Sequence, residues 1–223
     1  MPYRKIFFAN NEIYHVLNRG VAQQPIFLTN SNYQKFLAII DYYRYNLFLR
    51  FSHYSRMTEK EKNNFIKKSD PKPIVDILAF CLMPNHFHLL LKQLQEKGIQ
   101  IFMRKVQNSY VKYFNLKNNR IGPLFQSPFK AIRIEKDEQL VHISRYIHLN
   151  PSSSNLVKIK DLEKYFWFSL PEYLGRREIR FIHPEFILNF FKTKKRYKEF
   201  IFDQASYQKE LQNIKYLCLE KSV

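Results

Sequence analysis

A near-continuous apolar run, broken by one three-residue turn, sets the frame for this chain. Residues 74–82 (IVDILAFCL) carry the β-branched, almost unbroken apolar composition of a buried strand. Met83-Pro84-Asn85 interrupts the run, and residues 86–92 (HFHLLLK) resume it as a second strand. The pair reads as a hairpin around which the other elements must be arranged.

Upstream, residues 13–18 (IYHVLN) predict a short strand ending at an Arg19-Gly20 turn. Tyr33, Phe36, Leu37, Ile40 and Tyr43 recur at helical spacing and predict a helix over about 31–45. A polar stretch follows, with Thr58 and Glu61 in capping-box register at the start of a small helix, and 56–72 is expected to be a surface insertion. Downstream, Ile99, Phe102, Val106, Tyr110 and Tyr113 share one face of a helix over about 98–115. Gly122-Pro123 marks a loop, and residues 129–134 (FKAIRI) alternate as a strand should. A third helix begins near Asp137, a residue suited to the N-cap, and should stop at Asn150 because Pro151 follows. The order is strand, helix, strand, strand, helix, strand, helix. Its first six elements are the ferredoxin-like split βαβ order, so the expected fold is α+β, an antiparallel sheet with helices on one face. Residues 1–155 form the expected domain. Residues 156–223 form a mainly helical, basic extension with the only Trp (Trp167), a loop at Leu174-Gly175-Arg176-Arg177, a helix start at His183-Pro184 and the run KTKKRYK at 192–198.

Charge narrows the partner. Thirty-seven Lys and Arg against nineteen Asp and Glu leave +18, more than solubility requires and the usual footprint of a polyanion. A membrane surface would attract the same charge, but no apolar stretch approaches the roughly 20 residues of a spanning helix. The first residues (MPYRKIFFANNEIYHV) have neither the apolar core nor the cleavage site of a signal peptide. Nucleic acid is therefore the expected partner and the cytoplasm, in association with the nucleoid, the expected location. Cys81 and Cys218 alone indicate no disulfide framework, and four glycines argue against Gly-rich nucleotide-cradling loops.

His86 and His88 lie two apart on a predicted strand, so both side chains point to one face while Phe87 points to the other. Two strand rises separate them by roughly 6.6 Å, close enough for both imidazoles to lean onto one cation. Taken alone, the same pair fits a purely structural role on an amphipathic strand. No Cys or carboxylate lies near in sequence, so a closed structural zinc site is excluded, and a two-histidine site would need a third side chain. On the third helix, Leu140, Ile143 and Ile147 define the core face. Tyr146 flanks it, in one stripe with Asn150 four residues on and His142 four residues back. A tyrosine hydroxyl is a nucleophile toward phosphorus and an amide oxygen a metal ligand. Equally, Tyr146 fits a boundary residue and Asn150 a helix cap.

Together these segments resemble a family. Phe80-Cys-Leu-Met-Pro-Asn-His-Phe-His-Leu-Leu90 is similar to the histidine–hydrophobic–histidine (HUH) segment of insertion-sequence single-tyrosine transposases. Tyr14-His-Val-Leu-Asn-Arg-Gly20, Ser109-Tyr-Val-Lys-Tyr-Phe-Asn115, Gly122-Pro-Leu-Phe-Gln126, Phe129-Lys130 and Arg145-Tyr-Ile-His-Leu-Asn-Pro151 match in the same order, covering residues about 13–155. In the tail, Trp167-Phe-Ser169 and Glu172-Tyr-Leu-Gly175 are similar to REP-associated tyrosine transposases. The resemblance implies the HUH endonuclease fold, His86 and His88 as metal ligands, Tyr146 as nucleophile, and Mg²⁺ or Mn²⁺ as cofactor. The well-studied insertion-sequence members carry a glutamine one turn after the tyrosine as a further ligand; here that position is Asn150, one methylene shorter. The implied activity cuts and rejoins single-stranded DNA near hairpins through a 5′-phosphotyrosine intermediate. The protein would act as a monomer or homodimer, since both arrangements occur among such relatives. Arg19, Lys92, Arg104, Lys130 and Arg133 are candidate DNA contacts, each equally compatible with a solvated surface charge. The rival reading is a non-catalytic, domesticated nucleic-acid-binding regulator on the same fold.

Overall fold

A computed structural model describes residues 7–203; the end of the extension, with Cys218, lies outside the described residues. The main elements are β1 (Ile13–Arg19), α1 (Asn30–Tyr43), α2 (Phe51–Tyr54), α3 (Glu59–Ser69), β2 (Val75–Met83), β3 (His86–Gln93), α4 (Gly98–Lys117), β4 (Lys130–Ile134) and α5 (Asp137–Ser153). In the extension follow a 3-10 segment (Ile159–Lys164), α6 (Leu170–Tyr173), α7 (Glu185–Leu188) and α8 (Lys194–Phe202). The strands form one antiparallel sheet in the order β2-β3-β1-β4, the order expected of a split βαβ fold.

Local chemistry sets the element ends. Thr29 and Asn32 form a capping box at the start of α1, and Thr58 and Glu61 form the expected one at α3, which buries none of its residues. α1 ends two residues earlier than its periodicity suggests, because the Arg44 carbonyl accepts from the Ile74 amide at 2.7 Å and draws the chain toward β2. Gly98 opens α4 where a Cβ would stand 2.3 Å from the Ile74 carbonyl oxygen, a close approach only glycine permits.

The third helix departs from expectation at both ends. Lys136 occupies the N-cap, and Asp137 is instead the first helical residue, where with Glu138 it complements the positive end of the helix. Pro151 does not stop the helix, which runs on to Ser153. A proline this near the C-terminus removes a single intrahelical donor. The Asn150 and Pro151 carbonyls still accept from Ser154 and Leu156 at 2.9 Å each, and Pro151 is itself buried.

The sheet has two unlike faces. Phe87 points to one, where its ring meets Phe36 of α1 at 5.0 Å and Phe36 meets Tyr110 of α4 at 5.1 Å. His86 and His88 point to the other, and there α5 lies. The histidine face is thus roofed rather than open, with His88 0% exposed. Nor is α5 half-exposed: every residue from Ile143 to Pro151 is buried, because the extension packs on its outer side. The extension also covers the edge of β2. Leu82 N donates to the Trp167 carbonyl at 2.8 Å and Ser169 N to the Phe80 carbonyl at 3.0 Å, satisfying groups an edge strand would otherwise leave open.

Candidate functional site

β1 lies between β3 and β4 in a register that pairs Leu17 with His88 and Arg19 with His86. Directly opposed residues in an antiparallel pair point the same way, so His15, Leu17 and Arg19 share the face of His86 and His88. His15 Nε2 lies 2.9 Å from His88 Nδ1, and the two rings stack at 5.1 Å. His86 stands edge-on to His88 at 5.0 Å, with its Nδ1 2.6 Å from the side-chain oxygen of Asn85. An amide oxygen only accepts, so Nδ1 of His86 carries the proton and the lone pair sits on Nε2.

Tyr146 comes down onto this cluster from α5. Its ring centroid is 5.6 Å from that of His88 and 6.0 Å from that of His15, edge-on to both. The phenol is only 5% exposed and Asn150, one turn on, 1%. The stripe drawn through His142, Tyr146 and Asn150 divides: His142 packs on Phe200 of α8, at 5.5 Å, away from the histidines. Among the described residues no three His, Cys, Asp or Glu converge to hold a metal ion, so any ion here would be completed by other donors.

The sequence matches the model of a family described as "Transposase IS200 like" over residues 37–150, just over half of the chain. This protein belongs to the IS200-like transposase family. No protein of curated function matches significantly. Among solved structures the chain is similar to a REP-associated tyrosine transposase bound to a REP hairpin, with TM-score 0.52 and 12% identity, covering 82% of this chain and 98% of that one. At that identity the likeness concerns the fold alone, and it agrees with the α+β sheet described above.

In this transposase fold the predicted basic residues separate. Lys130 pairs with Leu17 across from His88, which places it on the histidine face with Arg19. Lys92 lies four residues beyond His88 on the same face, with its ammonium over the ring of Phe186, 5.0 Å from the centroid. Arg133 pairs with Tyr14, which puts it on the opposite face, and it forms an ion pair with Glu12 at 2.8 Å. Arg104 projects from the outer surface of α4, behind the sheet. Arg19 and Lys130 therefore join Tyr146 and the histidines, whereas Arg104 and Arg133 do not.

Sequence reasoning passed over three buried residues. His15 braces His88, and its signal was alternation: it stands two residues from Leu17 and four from Arg19 on one face of β1. Arg145 and His148 were read only as parts of a motif. His148 Nδ1 lies 2.8 Å from the Tyr197 hydroxyl of α8 and Nε2 2.9 Å from the Ser169 hydroxyl. Burial pushes its pKa from 6.5 down to about 3, so the ring is neutral. Arg145 stacks on Phe200 at 4.5 Å and donates to the Asp203 carbonyl. These two residues fasten α5 to the extension, and so hold Tyr146 over the histidines.

Proposed function

We propose that the protein is a single-stranded-DNA nickase and strand transferase in which Tyr146 is the nucleophile, acting on sites associated with DNA hairpins. The observation that carries this reading is the meeting of Tyr146 with His88 and His15 on the sheet face that also holds Arg19 and Lys130. In this reading residues 1–155 are the catalytic unit and 156–223 the extension, whose described part, to Asp203, steadies α5. The hairpin in the REP-associated relative's structure supports a hairpin-bearing substrate.

The donor set suits a divalent cation. His86 is braced at Nδ1 by Asn85, and His88 at Nδ1 by His15, the arrangement of imidazole ligands oriented from behind. With the shared proton on His88 Nδ1, each ring presents an Nε2 lone pair. His86, His88 and the Asn150 carbonyl would hold Mn²⁺ or Mg²⁺, imidazole favouring the former. When bound, the ion polarises a non-bridging phosphate oxygen and orients the phosphodiester. Arg19 and Lys130 neutralise phosphates of the entering strand. The Tyr146 oxygen forms a bond to phosphorus as the phosphorus–O3′ bond breaks. The phenolic proton is lost to an acceptor, and the departing 3′ oxygen takes up a proton. Because the phosphotyrosine ester keeps the bond energy, a second 3′-hydroxyl reverses the step and joins strands without a nucleotide cofactor.

One observation favours the rival, a regulator that binds DNA without cutting: Tyr146 and the histidines are buried. A single experiment separates the two. Labelled single-stranded DNA from the flanks of the protein's own gene is incubated with it and Mn²⁺, then run on denaturing gels. A covalent adduct, lost with chelator or in the His86→Ala/His88→Ala double variant while affinity stays within about tenfold (~1.4 kcal/mol), is the expected result. Binding without any adduct would establish the regulator instead.

A further inference from the structure

On the far side of the sheet from Tyr146, α1, α2 and α4 enclose a groove of about 610 Å³. Its cations are Lys35, Arg50, Arg56, Arg104, Lys105 and Lys112, and among the described residues no Asp or Glu lines it. At the chain's overall ratio of 37 bases to 19 acids, six bases come with about three acids, so the absence of any is a local feature. Some basic residues elsewhere have acidic partners: Arg133 has Glu12 and Arg180 has Asp41. Lys105 instead donates to the Asn46 side chain and the Leu47 carbonyl, at 2.7 and 2.9 Å. Burial, and then the neighbouring Arg104, hold the Lys105 ammonium below its ordinary pKa. At the mouth of the groove the Phe48 ring stands fully in solvent, and Leu116 is 84% exposed. Deeper in, Lys35 lies over the rings of Phe51 and Tyr113, at 5.2 and 5.4 Å.

We propose that this groove is a second nucleic-acid site, in which unpaired bases stack on Phe48 while phosphates run along Arg104, Lys105 and Lys112. Two kinds of occupant could cover an exposed phenylalanine beside a cavity: a second copy of the chain, or a flexible polyanion with aromatic bases. A symmetric interface between copies would bring two sets of uncompensated cations together, and like charges across an interface are costly. A single strand meets both requirements, since its phosphates match the cations and every base presents a stacking face. The groove lies among α1, α2 and α4, whereas Tyr146 lies under α5 on the other sheet face. It therefore holds a part of the strand remote from Tyr146. The inference rests on nucleic acid being the partner, and not on the chemistry of Tyr146.

The test uses the full chain and fluorescent oligothymidylate, titrated by anisotropy at several salt concentrations. The Arg104→Glu/Lys112→Glu variant should lose at least about tenfold in affinity. Its salt slope should fall by about 1.4, roughly 0.7 for each of the two phosphates no longer neutralised. Phe48→Ala should lose about fivefold or more, the low end of one stacking interaction. Lys158→Glu, an exposed charge reversal outside the groove, is the control and should shift affinity less. Strands bearing iodouracil should photocrosslink to the segment around Phe48. Because the variants change exposed side chains, thermal unfolding should be unchanged and separates binding loss from misfolding. Affinities equal to that of the control overturn the proposal. So does loss of self-association in Phe48→Ala with DNA affinity intact, which would make a second copy the occupant. Assaying the Tyr146 adduct on the same samples keeps the two readings apart. No adduct with groove-dependent affinity removes the catalytic reading and leaves this one, and an adduct with groove-independent affinity does the reverse.

Discussion

On one face of the sheet, Phe87 packs on Phe36 and Phe36 on Tyr110, mainly through ring contacts; on the other, His88 meets His15 nitrogen to nitrogen at 2.9 Å, with the Tyr146 ring edge-on to both. The first face depends on area removed from water, which is non-directional and forgiving of small shifts. The second depends on pairs, in which each buried polar atom is costly without its partner. It is held in place by a further polar network, His148 with Tyr197 and Ser169. The phenol of Tyr146 and the imidazoles beside it thus stand on the face where geometry is most exacting. The purely adhesive work falls to the other.

The largest expected effect tests whether the two faces differ in chemistry. Tyr146→Phe should form no protein–DNA adduct on denaturing gels, with mass spectrometry mapping the wild-type link to Tyr146. Tyr110, whose hydroxyl donates to the Ile26 carbonyl at 2.6 Å and is held well above its ordinary pKa by burial, belongs to the adhesive face. Tyr110→Phe should keep the adduct and lose about 1–3 kcal/mol of stability in urea melts. An adduct on Tyr110 would break the comparison.

Next comes acid. The folded protein holds His148 neutral down to about pH 3, whereas an unfolded chain protonates it below about 6.5. The unfolded state therefore binds more protons in that window. The contribution of His148 is complete above about 6.5 and is lost as pH falls toward 3, by up to about 1.4 kcal/mol per pH unit. Hydrogen exchange at pH 5 should show α5 and α8 losing protection before α1 and α4. Equal loss on both faces would mean that the polar network does not set the acid response.

A smaller effect sharpens the role of His15. His15→Ala should weaken Mn²⁺ binding by about 10–100-fold in calorimetric titration, the usual consequence of removing the group behind a ligand. His15→Gln, which keeps an acceptor, should recover part of it. Unchanged affinity would make the His15–His88 contact structural. The smallest effect separates two basic residues on β4. Lys130→Ala, on the histidine face, should lower the salt slope of single-strand binding by about 0.7. Arg133→Ala, turned away and paired with Glu12, should leave it unchanged.

Much of this was legible in advance. The hairpin of β2 and β3, the positions of α1, α3 and α4 and the order of the elements follow from apolar spacing and from Pro84, Gly98 and Thr58, because those signals act within a few residues. The pairing of Tyr146 with the histidine strand was legible as a resemblance of motifs in order, and the fold has brought those residues together. The burial of α5 was not. Pro151 reads locally as a stop, and only the carbonyls that accept from Ser154 and Leu156, with the packing around Pro151, show why the helix continues. Arg104 and Arg133 read the same as Arg19 until helix packing places the first and strand register the other two.

Sequence alone therefore determined the element order, the antiparallel sheet and the charge excess of +18, since periodicity, turn residues and net charge are properties of short segments and sums. The tertiary structure alone decided that His15 stands behind His88, that His148 and Arg145 fasten the tyrosine helix to the extension, and that uncompensated cations gather behind the sheet around Phe48. Each of these joins residues dozens of positions apart. A side chain's partner across such a distance is set by strand register and helix packing, which no single segment encodes.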